Sequence, residues 1–155
     1  MIVLSIRAYH LAMQKPFSPH GEQRTVRLGQ VLVTHVAGHW NLEMQQHSMR
    51  QTQALVDELN HKGPWASVVV VEKTLVTSLD VLEAGRNAVA HNPNMKIVGL
   101  AWVIKPDLEG YSLLLPRYRA MYEGLIHTRV FDDYSAALHW AEKIVAETPA
   151  NGDAS

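Results

Sequence analysis

The chain has 155 residues, of which 47% are hydrophobic and 19% charged, with a net charge of -1. That length suits one domain with a single core, and that composition a globular rather than a disordered or fibrous fold. The near-neutral charge argues against nucleic acid as a partner, because such binders carry a basic surplus that displaces counterions from phosphates. Zero cysteines exclude disulfides, iron-sulfur clusters, thiolate zinc sites and a cysteine nucleophile, and make the cytoplasm the expected compartment.

Residues 1–16 read as an N-terminal extension, with Met13 as an alternative start. The apolar opening Ile2-Val3-Leu4-Ser5-Ile6 is too short for a secretory segment, and Arg7 and His10 follow it. Phe17-Ser18-Pro19-His20-Gly21 reads as loop, so a single domain is placed at 17–147 and a disordered tail at 148–155.

Within that domain, the runs 25–28 and 31–36 flank Gly29-Gln30, a pair suited to a type II′ hairpin turn. Gly38-His39-Trp40 ends the second strand. Asn41 then caps a long helix in which Leu42, Met49 and Val56 recur beside Leu55 and Leu59, and Gly63-Pro64 stops it.

The run Ser67-Val68-Val69-Val70-Val71 is a buried strand that passes into Glu72-Lys73-Thr74-Leu75-Val76-Thr77-Ser78. Ligands in open α/β sheets collect at the carboxyl ends of strands, so this junction is where a site is sought. The next helix begins at Thr77 or Ser78, with Asp80 returning a capping bond if Thr77 is the cap. On its inner face Gly85, beside Leu82 and Val89, is expected to allow close approach to the sheet.

Asn92-Pro93-Asn94 ends that helix, and residues 96–104 form a central strand that is apolar on both faces. Its apolar core, 97–104, is far too short to cross a bilayer. A turn is expected near 107–110, and a helix from Pro116 to about 125, because proline fits the first turn and breaks an interior one. Residues 128–131 make a short last strand. Asp132 then caps a helix with Ala137, Leu138, Ala141, Ile144 and Val145 on one stripe.

The order is ββαβαβαβα. It predicts an α/β fold with a mostly parallel sheet of about five strands, an N-terminal β-hairpin and about four helices.

That order, joined to Pro19-His20-Gly21, Gly38-His39-Trp40-Asn41-Leu42-Glu43, Arg129-Val130-Phe131-Asp132-Asp133 and Ala136-Ala137-Leu138-His139-Trp140, resembles the STAS-like superfamily. These are the sulfate-transporter and anti-sigma-antagonist domains, with SpoIIAA-like bacterial relatives of undefined function as the nearest in pattern. The resemblance implies a non-enzymatic regulatory or binding domain. In the anti-sigma antagonists, the strand equivalent to 68–71 leads to an Asp-Ser-Ser-Gly box whose serine is phosphorylated at a helix start. Thr77-Ser78-Leu79-Asp80 stands there in this chain, so the resemblance implies Ser78, with Thr77 as the alternative, as a phosphosite.

No GxSxG, GxxxxGK[ST], GxGxxG or HExxH pattern occurs, so no catalytic residue and no cofactor is identified. Asp132-Asp133 is explained by helix capping. Among the histidines, His35, His39 and His47 lie close in sequence, and a metal-dependent enzyme using His39, His47 and Glu72 is one alternative. Ordinary surface and boundary histidines are the simpler account.

Trp40, Asn41, Glu72, Lys73 and Lys105, all expected at strand ends, form either a shallow cleft for an anionic or amphipathic ligand or a solvated rim, the rim being the simpler account. Tyr118, Met121 and Tyr122 form an apolar face suited to core or dimer contact, or to an acyl chain or partner helix. The partner thus stands between a small ligand, another protein and a second copy of the chain.

Overall fold

The computed structural model describes residues 22–150. The expectations for the extension at 1–16, the Pro19-His20-Gly21 motif and the tail beyond residue 150 lie outside the described residues. The elements run β1 Glu22–Leu28, β2 Val31–Ala37, α1 Leu42–Lys62, β3 Trp65–Glu72, α2 Leu79–Ala90, β4 Ile97–Val103, α3 Tyr111–Ala120, β5 His127–Phe131 and α4 Tyr134–Glu147. This is the expected ββαβαβαβα order. The sheet order is β1-β2-β3-β4-β5, with β1 antiparallel to β2 and all other neighbours parallel.

The hairpin closes at Leu28↔Val31. Gly29 has φ +63 while Gln30 keeps a negative φ, which is the sign pattern of the expected type II′ turn. The Gln30 side chain reaches across to the carbonyls of Leu59 and Pro64, each at 3.2 Å, and so ties the turn to the end of α1.

Strand alternation sorts the apolar residues to two faces. On one face Val31, Val33, Val68, Val70, Ala101 and Val103 pack against Ala137, Leu138 and Ala141 of α4, with Ile144 and Val145 beside them, as the stripe predicted. On the other, Leu100 and Trp102 meet α2 and α3 through Leu82, Leu115 and Tyr118, while Leu32 and Trp65 meet Leu59 of α1. The sheet therefore lies between α4 and the other three helices. Asn60 locks one end of this arrangement, because its carbonyl accepts from Trp65 Nε1 at 2.7 Å and from the Lys96 N–H at 2.9 Å.

Several local expectations are corrected. The third helix starts at Tyr111 and carries Pro116 inside it, rather than starting at Pro116. Burial of Leu115 and Tyr118 one turn apart sets that helix, and the carbonyl freed by Pro116 belongs to exposed Ser112, where water can reach it. Residues 121–125 form turns instead of continuing the helix.

The last helix is capped by Asp133, whose carboxylate accepts from the Ala136 N–H at 2.9 Å, and not by Asp132. Gly85 approaches the Met121-Tyr122 segment after α3 rather than the sheet: a Cβ there would collide with the Met121 methyl and lie 3.0 Å from the Tyr122 hydroxyl. Met49 is exposed, so the heptad reading of α1 holds only toward its carboxyl end, at Leu55, Val56 and Leu59.

Candidate functional site

The amino-terminal half of α1 turns polar residues inward where a core helix would place leucines. Gln45, Ser48 and Thr52 face the sheet across a cleft of about 180 Å³. The floor is built by register: Thr34 of β2 lies beside Val69 of β3, which lies beside Trp102 of β4, and Val36 beside Val71 makes a second row. Val81 and Leu82 of α2, Tyr118 of α3 and Met121 close the opposite side.

Two chain junctions meet at the carboxyl end of this floor. Asn41 caps α1 by accepting from the Met44 N–H at 2.9 Å, and this cap fixes the preceding Trp40. The Trp40 indole donates to Gln45 Oε1 at 2.7 Å, and its backbone forms a parallel bridge with Thr77. Thr77 Oγ1 donates to the Trp40 carbonyl at 3.1 Å, so Thr77 is committed to the neighbouring junction and does not cap α2. Ser78 occupies the cap position without a side-chain capping bond, and Asp80 accepts from the Val81 N–H at 3.1 Å instead of reaching back to Thr77.

The connector from β3 to this junction is held tightly. Lys73 has φ +72 and the Thr74 N–H donates to the Glu72 carbonyl at 3.0 Å, which together make a γ-turn of the rare positive-φ kind. For a lysine this conformation is strained. The segment after it is fastened by Leu75 N–H to the Glu109 carbonyl at 2.9 Å and by the Tyr118 hydroxyl to the Leu75 carbonyl at 2.9 Å.

Of the residues singled out from sequence, the cleft brings together Trp40, Thr77, Tyr118 and Met121, and leaves out Asn41, Glu72, Lys73, Ser78, Lys105 and Tyr122. The expectation of cations lining a strand-end cleft is therefore corrected. Lys73 and Lys105 are exposed, and the pleat turns Glu72 to the opposite face of the sheet, where its carboxylate lies 2.9 Å from Nε2 of buried His35. Burial holds His35 below its ordinary pKa of 6.5; the adjacent Glu72 opposes this, but it is half exposed and water weakens its pull.

His39 and His47 are also exposed, so His39, His47 and Glu72 do not converge. Among the described residues no group of three His, Asp or Glu side chains is placed to hold a metal ion.

Of the readings for Tyr118, Met121 and Tyr122, the structure has core contact, and the helical spacing is what changes. All three are buried in the core beneath α2, and Tyr122 lies beyond the end of α3 rather than one turn on from Tyr118. Burial pushes the phenols of Tyr118 and Tyr122 up to about 12. Both stay neutral at physiological pH.

Sequence reasoning missed Gln45, Ser48, Thr52, Thr34 and Trp102. The available signal was the polar run on the α1 face that continues Leu55 and Leu59 toward the amino terminus, since an amphipathic helix places leucines there unless something polar faces it.

Among the described residues no helix is long and apolar enough to cross a membrane. Compared with protein-family models the chain matches none, and the comparison with curated proteins likewise finds no match.

Proposed function

We propose that this chain is a non-enzymatic, STAS-like regulatory domain that binds a small molecule in the cleft between the sheet and α1 and α2. The observation that carries this reading is the cleft itself: about 180 Å³ of space over a floor of valines, a threonine and a tryptophan, walled on the α1 side by the Gln45 amide and the Ser48 and Thr52 hydroxyls. Sites for small ligands have this composition, mostly apolar with a few placed polar groups. The absence of any recognised nucleophile or acid-base arrangement around it favours binding over turnover.

Occupancy would be transmitted through Trp40 and Thr77, which line the cleft and join the starts of α1 and α2. A partner protein docking at the exposed Ser78 would sense that change. If phosphorylation is used, Ser78 is the site of choice, because it is exposed at the positive end of α2 while the Thr77 hydroxyl is engaged with Trp40.

Of the alternatives, a ligand with an amphipathic body fits the same cleft, with Tyr118 and Met121 as part of its wall. The space of about 180 Å³ favours a small body over a long acyl chain, since an apolar cavity of roughly 150 Å³ holds one benzene.

A fragment screen by ligand-observed NMR tests the reading. Thr52→Phe fills the cleft from a half-buried position on the polar face of α1. Binding to wild type that is lost in Thr52→Phe supports the proposal, and a screen without cleft-dependent binders overturns it.

A further inference from the structure

We infer that the cleft takes an uncharged, ring-sized molecule with a carboxamide-type edge, whose carbonyl oxygen accepts from Gln45 and whose N–H donates to the hydroxyls of Ser48 and Thr52. This rests on the small-molecule reading above and names the class of ligand.

The first support is the donor that α1 has left to offer. The Trp40 indole N–H can only donate, so the Gln45 atom 2.7 Å from it is the amide oxygen, and the amide nitrogen is turned the other way. That Nε2 lies 3.9 Å from where a Cβ on Gly85 would stand, a point that the methyl of cleft-lining Met121 also reaches, which sets it on the α2 side of the cleft. It has no acceptor among the described residues and is open to solvent. Because Trp40 holds the amide before a ligand arrives, little ordering is needed on binding.

The second is the pair of hydroxyls that follow it along the helix. Thr52 Oγ1 spends its one proton on the Ser48 carbonyl at 3.0 Å, so toward the cleft it can only accept. Ser48 Oγ makes no hydrogen bond among the described residues and is also open to solvent. The wall thus presents a donor at Gln45 and then acceptors at Ser48 and Thr52. A carboxamide carries the complementary pair, an acceptor beside a donor, on one planar edge, and neighbours one helical turn apart, with Cβ atoms about 5–6 Å from each other, can bracket it.

The third is what surrounds that wall. The described residues lining the cleft include no Asp, Glu, Lys, Arg or His, and the Tyr118 hydroxyl is spent on the Leu75 carbonyl. An ionic ligand would lose hydration there and gain no counter-charge. The floor rows Thr34-Val69-Trp102 and Val36-Val71 are mostly apolar, and a space of about 180 Å³ above them fits one ring with a short substituent.

Benzamide, acetophenone, benzoate and benzamidinium share a phenyl ring and a planar substituent of similar size, and differ in hydrogen bonding and charge. On the full chain at pH 7.5 benzamide is expected to bind most tightly. Acetophenone, which lacks the N–H, should be weaker by about fivefold, and benzoate and benzamidinium by about tenfold or more. Gln45→Leu removes the donor and should weaken benzamide and acetophenone alike, by about fivefold. The double variant Ser48→Ala/Thr52→Val removes the hydroxyls and should bring benzamide down to acetophenone while leaving acetophenone unchanged. The wild-type ranking alone decides the matter if these variants do not fold.

Benzoate or benzamidinium binding as tightly as benzamide overturns the inference. So does a Gln45→Leu protein that binds benzamide as wild type does, or a double variant that still prefers benzamide to acetophenone. If benzamide and acetophenone bind equally and Thr52→Phe expels both, the carboxamide edge is overturned while the binding cleft stands. If none of the four binds, the inference falls, and the cleft reading falls with it only when the wider fragment screen also finds no cleft-dependent binder.

Discussion

The Thr77 hydroxyl donates to the Trp40 carbonyl across 3.1 Å, and together with the backbone bridge between the same two residues it joins the turn before α1 to the loop before α2. Both residues line the cleft, and both sit where strands have just ended. A side chain that holds two junctions together supports a site without adding to the core.

Thr77→Val removes that donor and keeps the shape, so it is expected to cost about 1 kcal/mol in urea unfolding. Thr77→Ser should restore most of it. Amide exchange near residues 40 and 77 should quicken in Thr77→Val while the strands stay protected, because the opening is local. Unchanged exchange at both junctions would refute the latch.

The contact of Gly85 with the Met121-Tyr122 segment gives a graded test of packing. In Gly85→Ala the new Cβ meets the Met121 methyl, the mobile end of a flexible chain, and a gain in helix propensity of roughly 1 kcal/mol offsets the adjustment. The net change in stability should stay within about 1 kcal/mol. Gly85→Val adds methyls against the less yielding Tyr122 ring and should cost about 1–3 kcal/mol. Denaturant midpoints that fail to separate the two variants would show that α2 does not press on this segment.

The helix starts differ in a way that mutation can read. Asn41 and Asp133 each accept a capping bond of 2.9 Å, and Asn41→Ala and Asp133→Ala should each cost about 1 kcal/mol. Ser78 makes no such bond, so Ser78→Ala should change stability by less than about 0.5 kcal/mol. Thermal unfolding of the three variants checks this, and a neutral Ser78→Ala then serves as a clean control for any phosphorylation experiment.

The strands, the hairpin turn and the α4 stripe were legible because each is fixed by local pattern: unbroken valines at 68–71, Gly29-Gln30 between apolar runs, and Ala137, Leu138 and Ala141 at helical spacing. The start of α3 was not, since Pro116 signals a helix start locally while burial of Leu115 and Tyr118 outweighs it. The site was legible only in place. Trp40 and Thr77 stand at the predicted strand ends, but whether Glu72 faces the cleft or His35 depends on one step of strand register, and Trp102 looks in sequence like any other residue of an apolar strand.

Buried His35 makes stability depend on pH with a definite sign. Its pKa in the folded chain lies below 6.5 because burial disfavours the imidazolium, a direction that Arg24 on β1 reinforces and Glu72 on β3 only partly opposes. Well above pH 6.5 the histidine is neutral in both folded and unfolded chains, and it contributes no slope. As the pH falls past that value the unfolded chain takes up a proton that the folded chain resists, so stability drops until the folded pKa is reached. His35→Gln cannot take up that proton and should show a shallower loss of stability between about pH 7 and pH 5, whatever its stability at pH 7. Urea unfolding across that range compares the two slopes directly. Equal slopes would mean that His35 is as readily protonated in the folded chain as in the unfolded one, with Glu72 then supplying enough opposing charge to cancel the burial.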